Sequence, residues 1–338
     1  MNRWSFELLD DEDRPIGTLD GVTGGRAEIV AQSPLGGSGR MVIDGRQDVD
    51  WESNRVRARF HDGERSWPVG TYLFASPRAR HSDLGLTTYD VGLLTKMNVP
   101  AEDAVEARYS VDAGAQIIPT VVDILASTGE TRVAVTASDA TLATALTWPA
   151  GTSKLEVMND LLQAAGYWSL WCDGAGQFRV EPYVDPQNRG VAHRFEHGET
   201  SLHYPDWERE QNMADVPNRF LAIGRGNDET PPLIGIAKNT DPASPFSHQR
   251  RGRWITATDE GVEAESQQVI DQYAARKLRD LMDPVSRISI SHAMLDLNPN
   301  DLVEFIPEDG ATRLATIQRM TMNFDSFTDI DAEWRQLL

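Results

Sequence analysis

The chain has 338 residues, 40% of them hydrophobic and 25% charged, a balance that folds into soluble domains with real cores. Asp and Glu number 52 against 32 Lys and Arg, and the formal net charge of -20 repels phosphate backbones, so specific nucleic-acid binding through a basic face is excluded. The single cysteine, Cys172, excludes an intrachain disulfide framework and cysteine-based zinc sites. The N-terminus has no cationic start before an apolar stretch, and no run approaches the ~18 apolar residues that a membrane helix needs, so no secretory signal and no membrane segment are expected and synthesis in a cytoplasm is.

The first hundred residues read as strands and turns. Trp4 to Leu9 precedes the acidic turn Asp10-Asp11-Glu12-Asp13-Arg14-Pro15, which reads as solvated. Arg26 to Gln32 leads into the glycine-rich stretch Pro34 to Gly39. Arg55 to Phe60 alternates charged with apolar residues, as a strand with one wet face does. Val69 to Ala75 and Leu86 to Leu94 are two further strands, and short strands at this spacing predict a barrel or sandwich. Pro119 to Ala126 reads as a short helix. Ser153 and Glu156 then have capping-box spacing, with Leu155, Met158, Leu161, Leu162 and Ala165 on one helical face and Gly166 as the stop. Tyr167 to Cys172, the turn Asp173 to Gly176, and Gln177 to Tyr183 complete a helix–hairpin unit.

In the last third, Asn218 to Gly224 is a short apolar strand and 227–250 reads as a long loop. Residues 262–282 carry the longest helical pattern, with Val269, Ile270, Tyr273, Leu278 and Leu281 on one side and Pro284 as its end. Arg287 to Met294, Leu302 to Ile306 and Leu314 to Phe324 are strands. No repeat with a 20–50-residue period is present. The fold class is therefore β-rich α+β.

Motifs that carry chemistry are sparse. His193-Arg194-Phe195-Glu196-His197 matches H-x-x-E-H, the inverted zinc-protease pattern, with His203 nearby. That chemistry needs a helix to set both imidazoles and the Glu on one face, and Gly190 and Gly198 leave no room for one. Gly36 to Arg40 lacks the Gly-Lys-Ser/Thr ending of a phosphate loop, and Gly224-Arg225-Gly226 has Glu229 where a dinucleotide fingerprint wants Gly. Arg250-Arg251-Gly252-Arg253-Trp254 is the one basic spot and reads as a loop face or a contact for an acidic partner. Nine tryptophans fit large β cores or extensive subunit contacts. No catalytic residue, cofactor site or metal site is assigned, and the chain is read as no enzyme.

The segment Trp148 to Ser153 with its helix to Gly166-Tyr167, Trp171 to Gly174 and Gln177 to Val180 resembles the insert domain of phage tail baseplate-hub and tail-tip hub proteins, the minor tail proteins of long-tailed phages. Pro217 to Gly224 and Thr256 to Leu281, running from a strand into the long helix with strands around Asn300 to Glu304, resemble the same family. The resemblance implies two tube-like β-barrel domains with an α/β helix–hairpin insert: a first barrel at 1–108, the insert at 109–197, and a second barrel with a long helix (about 262–282) at 198–338. It implies a homotrimer that closes the tail tube as a ring, lets DNA pass during host cell entry, and meets the distal tail ring protein, the tape measure protein and other tail-tip proteins in the virion. No cell-wall hydrolase or receptor-binding extension like those of longer members is expected, which would leave a scaffold. Two alternatives stand beside it: a metal-dependent cell-wall hydrolase using His193, Glu196 and His197, and a distal tail ring or adaptor protein.

Overall fold

The computed structural model describes residues 3–45, 49–83, 85–211, 214–224, 231–262, 266–282, 286–325 and 329–337. Arg225, Gly226, Glu229 and Pro284, named above, lie outside them. The N-terminal strands are β1 (Arg3–Leu9), β2 (Pro15–Thr18), β3 (Val22–Val30), β4 (Gly37–Asp44), β5 (Arg55–His61), β6 (Ser66–His81) and β7 (Thr87–Thr95). Gly37 opens β4 rather than extending the predicted glycine-rich turn. A Cβ there would meet the Glu28 carbonyl oxygen at 2.0 Å, so only glycine lets β3 and β4 approach.

A helical segment follows: α1 (Asn98–Glu102), β8 (Tyr109–Val111), α2 (Ile117–Ala126), β9 (Val133–Val135), β10 (Leu146–Trp148), α3 (Lys154–Ala164), β11 (Trp171–Cys172) and β12 (Phe178–Val180). The Ser153 hydroxyl accepts from the Glu156 N–H at 3.1 Å, so the predicted N-cap forms. Val121, Leu125, Val157, Met158, Leu161, Leu162 and Phe178 make its core. The predicted strand from Tyr167 shortens to β11. The Leu170 N–H is taken by the Asn159 side chain, and Tyr167 makes only an isolated bridge to Pro182.

The remaining elements are β13 (Val191–Glu196), β14 (His203–Gln211), β15 (Arg219–Gly224), β16 (Ile234–Lys238), α4 (His248–Arg251), β17 (Thr256–Val262), α5 (Gln267–Leu281), β18 (Ser286–Ala293), β19 (Leu302–Ile306), β20 (Arg313–Asn323) and β21 (Asp329–Gln336). The predicted loop at 227–250 therefore contains β16 and α4. Ile234, Ile236 and Lys238 alternate with Gly235 and Ala237, but the glycine and alanine conceal the period. Residues divide into two compact units, 1–207 with 289–334, and 208–288 with 335–338.

In the second unit, β16-β15-β17 form a three-stranded sheet packed on α5. The buried stripe of α5 is Ile270, Ala274 and Leu278, four residues apart, while Val269 and Leu281 are exposed. The buried face is rotated from the predicted one, because the small Ala274 carries its middle position.

The main sheet runs β14-β18-β21-β20-β3-β4-β7-β6-β5-β1-β2, with β19 joining β20 to β13. This path contains a duplication. The N-terminal module pairs in the order β1-β5-β6-β7-β4-β3. The C-terminal module pairs in the order β13-β19-β20-β21-β18-β14, which is the same order for strands taken in the same chain sequence. One difference is direction: β1 is antiparallel to β5, whereas β13 is parallel to β19. Residues between β14 and β18, which hold the three-stranded sheet and α5, stand where the N-terminal module has only the turn between β3 and β4. The repeat has no short period because each copy is interrupted or followed by a long segment. The protein is β-rich with large, mostly antiparallel sheets.

Candidate assembly surface

Two places in the first unit decide how its parts are held, and neither is an open pocket. The first lies between the N-terminal module and the helical segment. Lys96 is fully buried at the end of β7, with its Nζ 2.5 Å from Asp13 Oδ2 and 2.7 Å from Glu130 Oε2. Arg55 reaches the same two carboxylates, each at 2.9 Å. Burial alone lowers the Arg55 pKa, but Glu130 and Asp13 outweigh it and the net direction is up. Lys96 also donates to the Gly176 carbonyl at 2.9 Å, Arg57 donates to the Thr71 hydroxyl, and Thr71 donates to the Gly174 carbonyl. Burial, then the neighbouring Arg132, pushes the Arg57 pKa down.

This corrects two expectations. Asp13 is not part of a solvated turn, because it is only 4% exposed. The charged side of β5 is not wet, since Arg55 and Arg57 turn into the cluster. The fixed network is structural: Lys96 and Arg55 each face Asp13 and Glu130 at contact distance, and Arg57 faces Glu7 at 3.3 Å.

The second place is the junction of the two modules. β20 pairs with β3 from Arg319↔Val30 to Asn323↔Arg26, and the Arg319 guanidinium meets Glu28 at 2.8 Å. Phe324 packs edge-on against Trp4 and Phe6, with centroids 5.1 and 5.3 Å away. The module boundary is thus a continuous hydrogen-bonded sheet with an ion pair and an aromatic cluster.

The H-x-x-E-H segment is strand, not helix: His193 to Glu196 lie in β13, paired with β19. Residues three apart in a strand face opposite sides, so His193 and Glu196 diverge. Among the described residues no group of three His, Cys, Asp or Glu is arranged to hold a metal ion. His193, Phe195, His203, His292 and Trp334 instead form an aromatic cluster, with Phe195 4.6 Å from His193 and 4.9 Å from both His292 and Trp334. Sequence reading missed His292, which lies about a hundred residues away and carries no motif.

In the second unit the basic spot is internally engaged. Arg251 donates to the Val216 carbonyl and Arg250 to the Pro242 carbonyl, while Trp254 stacks on His248 at 4.1 Å and carries Arg219 and Lys238 over its ring. Cys172 is half-buried, and burial pushes its thiol up to about 12, which makes it a weak nucleophile. No helix among the described residues is long and apolar enough to cross a membrane.

No family model matches the sequence, and no curated protein matches it. Solved structures do. The crystal structure of the tail protein from Neisseria meningitidis MC58 superposes with a TM-score of 0.69 over 98% of this chain and 96% of that one, at 12% identity. The 43 kDa tail protein of prophage MuSo2 from Shewanella oneidensis gives 0.68 over 99% and 98%, also at 12% identity. The E. coli c3393 protein, a component of the type VI secretion system with structural similarity to the T4 bacteriophage tail proteins gp27 and gp5, gives 0.52 over 94% and 73%, at 10% identity. For the Neisseria and Shewanella proteins the coverage is near-complete in both directions, and the chain has the fold of these tail proteins.

Proposed function

We propose that the chain is a structural, non-enzymatic subunit of a phage tail tip or baseplate hub, present in the virion, in which three copies close the end of the tail tube as a ring. The observation that carries this reading is the duplicated sheet module joined edge to edge through β3 and β20. A tube wall needs strands that continue from one module into the next, and two modules per chain let three chains supply six. Each module would then be one of the two tube-like barrels, and the residues from α1 to β12 the insert. The fold of the Neisseria and Shewanella tail proteins supports a tail role, and the stated likeness of the E. coli c3393 protein to gp27 and gp5 supports a central position in such a machine.

The net charge of -20 suits a channel through which DNA slides without sticking. The ring would meet a distal tail ring protein, the tape measure protein and other tail-tip proteins. Image averaging of tails that carry the chain tests this. Three copies in one ring at the tail end is the expected result. Six copies per ring would transfer the chain to the distal-ring alternative, and its absence from the particles would overturn the tail assignment.

A further inference from the structure

Within one chain, β3 lies between β4 and β20, and β20, next to β21, pairs with β19 over Arg313–Thr316 and with β3 over Arg319–Asn323. Their counterparts in the duplicated modules lack the equivalent of this junction among the described residues. β14, the counterpart of β3, pairs with β18 and ends the sheet. In β6, the counterpart of β20, residues up to Leu73 pair with β5, but Arg78–His81 pair only with β7 among the described residues. Both strands thus keep an open edge among the described residues, and these edges are the counterparts of the two that the internal junction joins.

We propose, resting on the ring reading above, that Ser76–His81 of β6 in one copy pairs antiparallel with β14 in the next copy, repeating the β3–β20 junction between chains. This is a head-to-tail contact between unlike surfaces, the kind that generates rings when the rotation closes.

The side chains fit. The β6 segment is exposed throughout and carries Arg78 and Arg80, two residues apart and hence on one face. β14 carries Asp206, Glu208 and Glu210, also on one face and exposed. At the internal junction the strand corresponding to β6 supplies Arg319, and the strand corresponding to β14 supplies Glu28. The charge sense is the same in both places. An irregularity in the β6–β7 register between Ala75 and Arg78, with Ser76 at φ 47°, separates this segment from the part of β6 that pairs with β5. Pro77 and Pro205 each remove one N–H, and with the charges they discourage pairing with any edge lacking the complementary pattern.

The test uses the full chain. Arg78→Glu/Arg80→Glu should raise the concentration needed for self-association, measured by sedimentation, about ten-fold or more, because like charges then face each other across the edge. Adding Asp206→Arg/Glu208→Arg to that variant should restore association, which a variant that merely misfolds does not do. Ala79→Cys with Trp207→Cys, oxidised in a Cys172→Ser background, should yield closed covalent oligomers. Rings that form with no response to charge reversal and no cross-link overturn this interface and leave the ring reading intact. A chain that stays monomeric at all concentrations and is absent from tails overturns both.

Discussion

Lys96 concentrates the residue-scale physics. Its nearest carboxylate, Asp13, lies 83 positions away in sequence, so nothing local marks the pair. The sequence offers an acidic turn, an alternating strand and a lone lysine, and each reads as solvated until the fold buries them together. Removing the lysine leaves the buried Asp13 and Glu130 carboxylates with Arg55 and, for Asp13, Arg132 as their cationic partners. Lys96→Ala should destabilise the protein by about 3–5 kcal/mol in urea unfolding, the usual cost of breaking a buried ion pair on one side. Lys96→Met with Glu130→Gln should recover much of that loss. His292 makes the second residue-scale prediction. It is fully buried, and its Nδ1 donates to the Ala293 carbonyl at 2.8 Å, which leaves Nε2 as a buried acceptor without a partner. Burial first, opposed by the Ala293 carbonyl and more weakly by Asp331 and reinforced by His193 and His203, pushes its pKa from 6.5 down to about 4. The unfolded chain therefore binds a proton that the folded chain refuses between these values. Stability from this group is fully present above pH ~6.5 and is lost as pH falls to about 4, a total near 3 kcal/mol. Urea midpoints at pH 7 and pH 4 should differ accordingly, and His292→Phe should reduce the difference. Equal pH slopes in the two proteins would refute the assignment.

Elements were legible where a local signal was complete. The α3 helix starts at Lys154 behind its Ser153 cap because the capping residue and the apolar stripe are neighbours in sequence. The strands β5, β18 and β20 lie where the alternation of charged or polar with apolar residues places them. Legibility failed where packing rather than pattern sets the limit. β6 was read only from Val69 to Ala75, yet it runs from Ser66 to His81, because its polar end is held by pairing with β7 and not by an apolar face. β16 was lost inside a Pro- and Asn-rich stretch because Gly235 occupies an inward position. A Cβ at Gly235 would meet the Ile270 carbonyl oxygen at 2.4 Å, so the tight seat of α5 against the sheet excludes the larger residue that would have revealed the strand. The same holds for the hairpin turn beside the ion cluster. A Cβ on Gly174 would lie 2.3 Å from the Pro68 carbonyl oxygen, and that close approach fixes the helical segment against β6. The candidate site was less legible than the fold. H-x-x-E-H was visible but lies on a strand that turns His193 and Glu196 to opposite faces, whereas the sheet edges at β6 and β14 carry no motif, only Arg and Asp/Glu at alternate positions that any solvated strand also shows.

At the scale of the whole molecule, two electrostatic effects oppose each other when copies meet. Each chain carries a net charge of -20, so approaching copies repel over long range. The proposed β6–β14 contact is attractive, but it acts only at contact. Salt separates the two because it screens by distance. At ~0.01 M the Debye length is about 30 Å and the net repulsion is felt across the whole interface; at ~0.1 M it is about 10 Å, and at ~1 M about 3 Å, close to the span of an ion pair itself. Self-association should therefore strengthen as salt rises from ~0.01 M to ~0.15 M, because repulsion between the bodies is screened while Arg78 and Arg80 still reach Asp206 and Glu208 in the next chain. Toward ~1 M it should weaken again as those pairs are screened in turn, leaving the backbone ladder as the remaining attraction. Sedimentation equilibrium across this range reads both limbs. In Arg78→Glu/Arg80→Glu the local term is repulsive as well, so association should rise steadily with salt and the second limb should vanish. A monotonic rise in the unsubstituted chain would mean that charge at the edge contributes nothing to assembly, and that the resemblance between the β6–β14 pairing and the Arg319–Glu28 junction is one of layout alone.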